Sequence, residues 1–298
     1  MRLTIRTLLL MFTSLAALAE WQPTQAALLY AISGDSSGIP RQLNQIDTDT
    51  ETVTAVMILG DTGTGFNGGL TWDGSQERFY SIYSYGWGNA ALASFGLSGD
   101  GYQAEGAILL QGGLWRGLSY AEDSGLLYAL YSIGNGSWQL EEIDRQTGSV
   151  QTRFSGMQGG VGGMTWVSPG KFAVLLTNPQ GLYQIHELDL TTGLLTTVGA
   201  PFAGNANGGL AWDAVNGNYL AIVSNWQGAS ALHQVPASGN GAPQTPFSIG
   251  GGYFYGGLTA VAASVPNVEP VPEVSTIWLA MTGIGLVAIS RVRRFYTR

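Results

Sequence analysis

Five short apolar segments that begin with glycine recur along the chain at a nearly constant interval. Successive glycines of these segments lie 48, 46, 46 and 48 residues apart. Self-similarity at a fixed period of this length indicates a repeat architecture. The five copies are Gly69-Leu70-Thr71-Trp72, Gly117-Leu118-Ser119-Tyr120, Gly163-Met164-Thr165-Trp166, Gly209-Leu210-Ala211-Trp212 and Gly257-Leu258-Thr259-Ala260.

Each complete repeat holds four short segments with the composition of β-strands. A second apolar segment, such as Phe79–Tyr83, begins about ten residues after the glycine motif, and two further strands follow it. Turn sequences such as Asn216-Gly217 separate strands one and two, and others such as Thr147-Gly148 separate strands three and four. Four strands in about 47 residues is the period of a β-propeller blade.

The first and last repeats are incomplete in a complementary way. The first begins at Leu28 with a second strand, whereas the last copy, Gly257–Ala260, is a first strand with no partner after it. A C-terminal strand that completes the N-terminal blade would close the ring and remove exposed sheet edges. The sequence therefore predicts an all-β fold, a five-bladed β-propeller over residues 27–262, followed by a linker at 263–271. An irregular β-sandwich is the alternative.

Residues 1–26 have the organisation of a secretory signal peptide. Arg2 and Arg6 precede an apolar run from Leu8 to Ala19, which ends in a small-residue cleavage triplet. A second triplet of this kind ends at Ala26. We expect a signal helix that is removed on export; a buried N-terminal helix of the folded domain is the alternative.

A second long apolar segment lies near the C-terminus. Residues 274–290 carry no charge and as a helix would span roughly 25 Å, the lower limit for a transmembrane helix. Arginines follow at once and are expected to stay in the cytoplasm, which leaves the body on the far side of the membrane. These are Arg291, Arg293, Arg294 and Arg298.

Residues 272–298, with Val271 before them, resemble a known sorting signal. The motif Val271-Pro272-Glu273-Val274, the apolar helix and the arginine cluster follow one another as in the PEP-CTERM signals of Gram-negative bacteria. That family usually has a second proline where this chain has Val274. The resemblance implies processing of an inner-membrane precursor by an exosortase, transfer of the body to the outer surface or extracellular matrix, and an association with exopolysaccharide.

Composition narrows the range of functions. The net charge is −8, and without its two ends the chain would carry eighteen acidic against six basic residues. Such a body repels phosphate backbones, so nucleic acid is not expected as a partner. Cysteine is absent, which excludes disulfides, thiolate metal ligands and thiol nucleophiles.

No catalytic constellation is evident, and we predict no metal and no cofactor. His186 and His233 lie at nearly equivalent points of the third strands of adjacent blades. A paired metal site is one interpretation, and two blade-surface positions is the interpretation we favour. Asp47–Glu51 resembles the start of a calcium loop but lacks the glycine and the glutamate that such a loop needs. A solvated hairpin turn is therefore expected there.

One set of loops carries aromatic and amide side chains. In a propeller the loops from strand two to three, and from strand four to the next strand one, open on the same face. Aromatic planes beside asparagines suit a sugar, whose CH groups stack on rings while its hydroxyls meet amides. The alternative is that these aromatics are wedges between blades. The candidate ligand face consists of Trp87, Trp115, Arg116, Trp138, Trp226, Tyr253 and Tyr255.

The exposure of tryptophan distinguishes these two interpretations. If the loop tryptophans Trp87, Trp138 and Trp226 bind ligand, they are at least partly exposed, whereas the repeat tryptophans are buried between blades. The repeat tryptophans are Trp72, Trp166 and Trp212.

These observations predict a non-enzymatic, exported propeller that binds extracellular polysaccharide or a matrix protein. The strand-one segments supply mostly glycine, threonine, tryptophan and leucine, with few ionisable groups for chemistry at the central channel. A secreted hydrolase or lyase acting on sugars or lactones at the channel is the second hypothesis. A structural spacer without a ligand is the third.

Overall fold

The described part of the chain folds into twenty β-strands in five four-stranded antiparallel sheets. The structure is a computed structural model. It describes residues 28–34, 41–60, 66–84, 89–97, 103–111, 114–134, 136–157, 159–204, 209–224, 229–238, 246–250 and 254–261. The prediction of a five-bladed propeller is confirmed, and the β-sandwich alternative is wrong.

The strands are numbered in chain order and are given for each blade from the first strand to the fourth. Blade 1 is β20 (Phe254–Val261), β1 (Leu28–Gly34), β2 (Arg41–Asp47) and β3 (Thr52–Gly60). Blade 2 is β4 (Phe66–Asp73), β5 (Arg78–Ser84), β6 (Asn89–Gly96) and β7 (Gln103–Gln111). Blade 3 is β8 (Leu114–Ala121), β9 (Leu126–Gly134), β10 (Ser137–Asp144) and β11 (Ser149–Met157). Blade 4 is β12 (Val161–Ser168), β13 (Lys171–Thr177), β14 (Tyr183–Asp189) and β15 (Leu195–Phe202). Blade 5 is β16 (Leu210–Asp213), β17 (Asn218–Ser224), β18 (Ser230–Pro236) and β19 (Phe247–Gly250).

The last strand closes the ring as the sequence predicts. Strand β20 pairs antiparallel with β1, in a register that runs from Leu28 opposite Val261 to Gly34 opposite Phe254. On the other side of β20, Leu258 forms a parallel bridge with Gly209 at the start of β16. The chain therefore joins its two ends within blade 1, next to blade 5.

The glycine motif is explained by the way the first strands pack around the ring. A Cβ atom on Gly69 would lie 2.4 Å from the Cβ of Leu118 in the next blade, so only glycine fits there. Thr71, two residues after Gly69, links the first strands of blades 2 and 3. Its Oγ1 accepts a hydrogen bond from the amide of Tyr120 at 2.9 Å. Ser119 Oγ accepts one from Trp166 N at 2.6 Å. The repeat thus specifies contact between neighbouring blades.

The hydrophobic core lies between the blades rather than at one centre. Each of the five blade–blade boundaries holds a cluster of buried side chains. The boundary that closes the ring, between blades 5 and 1, contains Leu29, Leu220 and Leu258 and is built like the other four. Burial on both faces of each sheet explains why the second strands are almost continuously apolar.

The predicted ends of the chain fall outside the described residues. These are the signal peptide at 1–26, the linker at 263–271 and the sorting tail with its membrane helix at 272–298. In the part of the chain that the structure describes, no helix is long and apolar enough to cross a membrane.

Candidate ligand-binding face

The propeller has two faces that differ in how their connections are built. We name the face with the strand one-to-two and three-to-four connections the turn face, and the face with the two-to-three and four-to-one connections the loop face. Strands alternate in direction, so these two sets of connections emerge at opposite ends of the strands.

Five short turns of the turn face are closed by aspartate. Asp144 Oδ1, for example, accepts hydrogen bonds from the amides of Gln146 and Thr147, at 2.9 and 3.3 Å. These local hydrogen bonds fix the turn, and they occupy the carboxylate oxygen that accepts them. The same arrangement holds Asp47, Asp73, Asp189 and Asp213.

Asp47–Glu51 is one of these turns, which confirms the hairpin interpretation. Asp47 Oδ1 accepts hydrogen bonds from Asp49 N at 2.9 Å and Thr50 N at 3.1 Å. These backbone bonds, that of Thr50 first, lower the pKa of Asp47 below its usual value. The leading carboxylate is therefore committed to the turn.

One turn-face aspartate also joins two blades. Asp73 is fully buried, and its Oδ2 lies 2.6 Å from Nη1 of Arg145 in blade 3. Arg145 also donates to the hydroxyl of Tyr80 at 2.6 Å and lies 5.1 Å from the centre of the Tyr120 ring. Burial opposes ionisation of Asp73, but the bonds from Ser75 and Arg145 outweigh it and lower the pKa of Asp73.

The two histidines are half-buried and lie on the faces of their sheets, as the favoured interpretation has them. Ile185 belongs to the cluster between blades 4 and 5, and alternation puts its neighbour His186 on the opposite side of that sheet. The ring of His233 stacks on Phe202 of that same cluster, with centroids 5.2 Å apart and planes at 15°. The sheet of blade 4 thus separates the two imidazoles, which excludes a shared metal ion.

Of the seven predicted ligand residues, the structure describes two in full. Trp87, Trp226 and Tyr253 lie outside the described residues. Trp115 and Tyr255 lie in β8 and β20, where the backbone alone is described. Trp138 and Arg116 are described with their side chains.

Trp138 is a wedge between blades, contrary to the expected partial exposure. It is 4% exposed and belongs to the cluster between blades 3 and 4. Its indole covers Gly156 on the neighbouring strand, where a Cβ atom would lie 2.4 Å from the ring. The repeat tryptophans pack against the clusters between blades, as expected, but they are half-buried rather than buried. These are Trp72, Trp166 and Trp212.

Arg116 is partly buried and lies near the start of β8. It stands immediately before Gly117, where the neighbouring repeats have Gly68 and Gly162. Burial lowers the pKa of Arg116, and the phenol of Tyr183 in blade 4 acts in the opposite direction. The guanidinium of blade 3 therefore interacts electrostatically with a phenol of blade 4.

A cleft of about 350 Å³ opens on the loop face between blades 4 and 5. Sequence reasoning missed it, because its lining comes from four separate strands and their ends. Ser224 Oγ and Ser230 Oγ, both buried, lie 2.7 Å apart and form a hydroxyl pair in its wall. Its lining includes Ser224, Ser230, Ala231, His233 and Ser248.

No protein-family model and no curated protein sequence matches this chain. Solved structures match it in fold. The crystal structure of TolB from Acinetobacter baumannii matches with a TM-score of 0.50 and 15% identity, covering 77% of this chain and 54% of that chain. This chain thus spans about half the length of the TolB chain.

The crystal structure of a nidogen/laminin complex is a second match. It gives a TM-score of 0.51 at 11% identity and covers 80% of this chain and 99% of that chain. At these identities the likeness shows the propeller fold alone.

Proposed function

We propose that the chain is an exported, non-enzymatic surface propeller whose loop face binds a neutral extracellular polysaccharide. The observation that supports this most is the difference between the two faces. Turn-face aspartates are bound to their own backbone, whereas the loop face presents a cleft lined by hydroxyls beside loops rich in aromatic and amide residues.

The carboxylates inside the blades also have structural partners. Glu187 accepts a hydrogen bond from the hydroxyl of Tyr219 at 2.6 Å and pairs with Lys171 at 3.0 Å. Glu142 accepts one from Tyr128 at 2.9 Å. Carboxylates that are held in this way contribute to the fold and to the negative charge of the body. That charge favours a neutral polymer over a polyanion.

Binding is tested with the full-length chain in a detergent that has no sugar headgroup. Immobilised neutral glucan, mannan and galactan are compared with a uronic acid polymer. We expect retention on at least one neutral polymer and none on the charged one. Retention on none of the neutral polymers contradicts the proposal, and release of soluble sugar during incubation identifies a hydrolase or lyase instead.

We further propose that residues 272–298 direct sorting by an exosortase. The order of the motif at Val271–Val274, the apolar segment and the arginines supports this assignment. Mature mass and location are compared in cells with and without an exosortase, using Pro272→Ala/Glu273→Ala as the matched variant. We expect a processed surface form only for the unaltered chain with the enzyme present. Identical mature mass in both backgrounds would identify the tail as a plain anchor.

A further inference from the structure

One cross-strand pair of residues distinguishes blade 5 from the other four blades. The pair joins the second and third strands near the loop face, and its members face each other in the sheet register. The five pairs are Ser33 with Gln42, Tyr83 with Ala91, Tyr131 with Gln139, Leu176 with Gln184, and Val223 with Ala231. Every pair except Val223 with Ala231 includes a tyrosine or a glutamine.

The larger side chains form bonds within their own blades. In blade 3 the hydroxyl of Tyr131 donates to Oε1 of Gln139. In blade 4 Nε2 of Gln184 donates to the carbonyl oxygen of Gly199 at 3.2 Å. Blade 5 has no such side chain at this position, and here the 350 Å³ cleft opens. The cleft is thus a specific departure from the repeat.

The cleft is lined by groups that suit a neutral ligand with hydroxyls. Among its described lining residues, the polar side chains are the hydroxyls of Ser224, Ser230 and Ser248 and the imidazole of His233, and none carries a carboxylate, ammonium or guanidinium group. Burial lowers the pKa of His233, so at pH 7 its ring offers one donor and one acceptor. The volume falls within the range of small-molecule sites, roughly 300–1,000 Å³.

We propose that this cleft between blades 4 and 5 is a subsite for one neutral sugar residue, with hydroxyls of the sugar meeting the serine hydroxyls and the imidazole. The inference rests on the proposed function and gives it a location. It places the subsite on blade 5, apart from the wedge tryptophan of blade 3.

The two histidines allow a direct test by proton NMR of the imidazole signals. The full-length chain, in a detergent without a sugar headgroup, is titrated with methyl glycosides of glucose, mannose and galactose, and with glucuronic acid. His186→Gln assigns the two signals. We expect at least one neutral glycoside to shift the His233 signal saturably while His186 stays in place and glucuronic acid has no effect.

Ala231→Gln supplies the matched variant, because three other blades carry glutamine at this position. It should fill the cleft and weaken the His233 response and polysaccharide binding at least about tenfold, which corresponds to about 1.4 kcal/mol. Ala214→Gln makes the same change at an exposed turn-face position of blade 5 and should leave both unchanged.

The outcomes separate this inference from the proposed function. If no neutral glycoside moves the His233 signal, or Ala231→Gln binds polysaccharide like the unaltered chain, the subsite is refuted while polysaccharide binding elsewhere on the loop face stands. If the unaltered chain binds no neutral polysaccharide, both proposals fail. The titration of the unaltered chain needs no variant, so it decides the matter even where Ala231→Gln lowers stability.

Discussion

The turn face and the loop face belong to the same five repeats but use them differently. On the turn face, aspartates such as Asp144 and Asp189 close similar turns by bonding their own backbone. On the loop face the same blades differ at equivalent positions, so that Trp138 fills one boundary and a cleft opens at another. A departure from the repeat thus has one of two consequences: at Trp138 it fills a boundary, and in blade 5 it opens a candidate site.

The largest expected effect comes from breaking the frame that both faces share. Deleting residues 256–261 removes most of the strand that pairs with β1 and contributes Leu258 to a buried cluster. Each lost backbone hydrogen bond costs about 1 kcal/mol, and the buried leucine adds about 2–5 kcal/mol. We expect the cooperative thermal transition to disappear, as followed by circular dichroism at a β-sheet wavelength. An unchanged melting temperature would show that the first and last strands do not share a blade.

The next prediction separates a wedge from ligand residues on the loop face. Trp138→Ala should reduce the free energy of unfolding by about 3–5 kcal/mol, because it opens a cavity between blades 3 and 4. If Trp87 and Trp226 are surface residues, replacing each with alanine should change it by no more than about 0.5 kcal/mol. Urea denaturation of the three variants measures the difference. Equal costs for all three would place every loop tryptophan in the core.

The fold was predictable because its signals are local and repeated. Glycine before Leu70, and again before Leu118, marks the places where neighbouring first strands touch. The incomplete first and last repeats indicated that the last strand completes the first blade and closes the ring. The site was less predictable, because exposure is not periodic. Trp138 follows a glycine-rich, loop-like sequence, yet its ring packs over Gly156. The cleft forms where small residues of different strands lie next to one another, and their positions in sequence do not show this.

A smaller effect is expected from the ion pair on the turn face. Asp73→Asn removes the charged partner of Arg145 and should cost about 1.5–3 kcal/mol at pH 7, measured by urea denaturation. Since folding lowers the pKa of Asp73, its contribution is present above the unfolded value, about 3.9, and is lost as pH falls through the lower folded value. The difference between variant and unaltered chain should therefore shrink below about pH 4. A constant difference down to pH 2 would contradict this assignment.

The smallest effect should be a gain in stability at two turn-face positions. Glu51 and Glu77 have φ values of 53° and 52°, in the left-handed region, where the equivalent turns have Gly148 and Gly217. Glu51→Gly and Glu77→Gly should each raise the free energy of unfolding by roughly 1 kcal/mol, because glycine removes the steric cost of this conformation. Thermal melts of both variants check this, with Glu122→Gly as a control in a turn whose left-handed position is already occupied by Gly125. A loss of stability at either site would show that the glutamate side chain stabilises the fold by more than its left-handed backbone conformation costs.

The division between the two faces is tested most directly by measuring polysaccharide binding after equivalent truncations on each face. The loop-face variant is Trp87→Ala/Trp226→Ala, and the turn-face variant is Leu97→Ala/Val215→Ala, which shortens two exposed apolar side chains. On a neutral polymer that retains the unaltered full-length chain, the loop-face variant should bind at least about tenfold more weakly, with an unchanged melting temperature, and the turn-face variant should bind normally. Equal binding by both variants, or greater loss by the turn-face variant, would contradict the assignment of the loop face as the binding face.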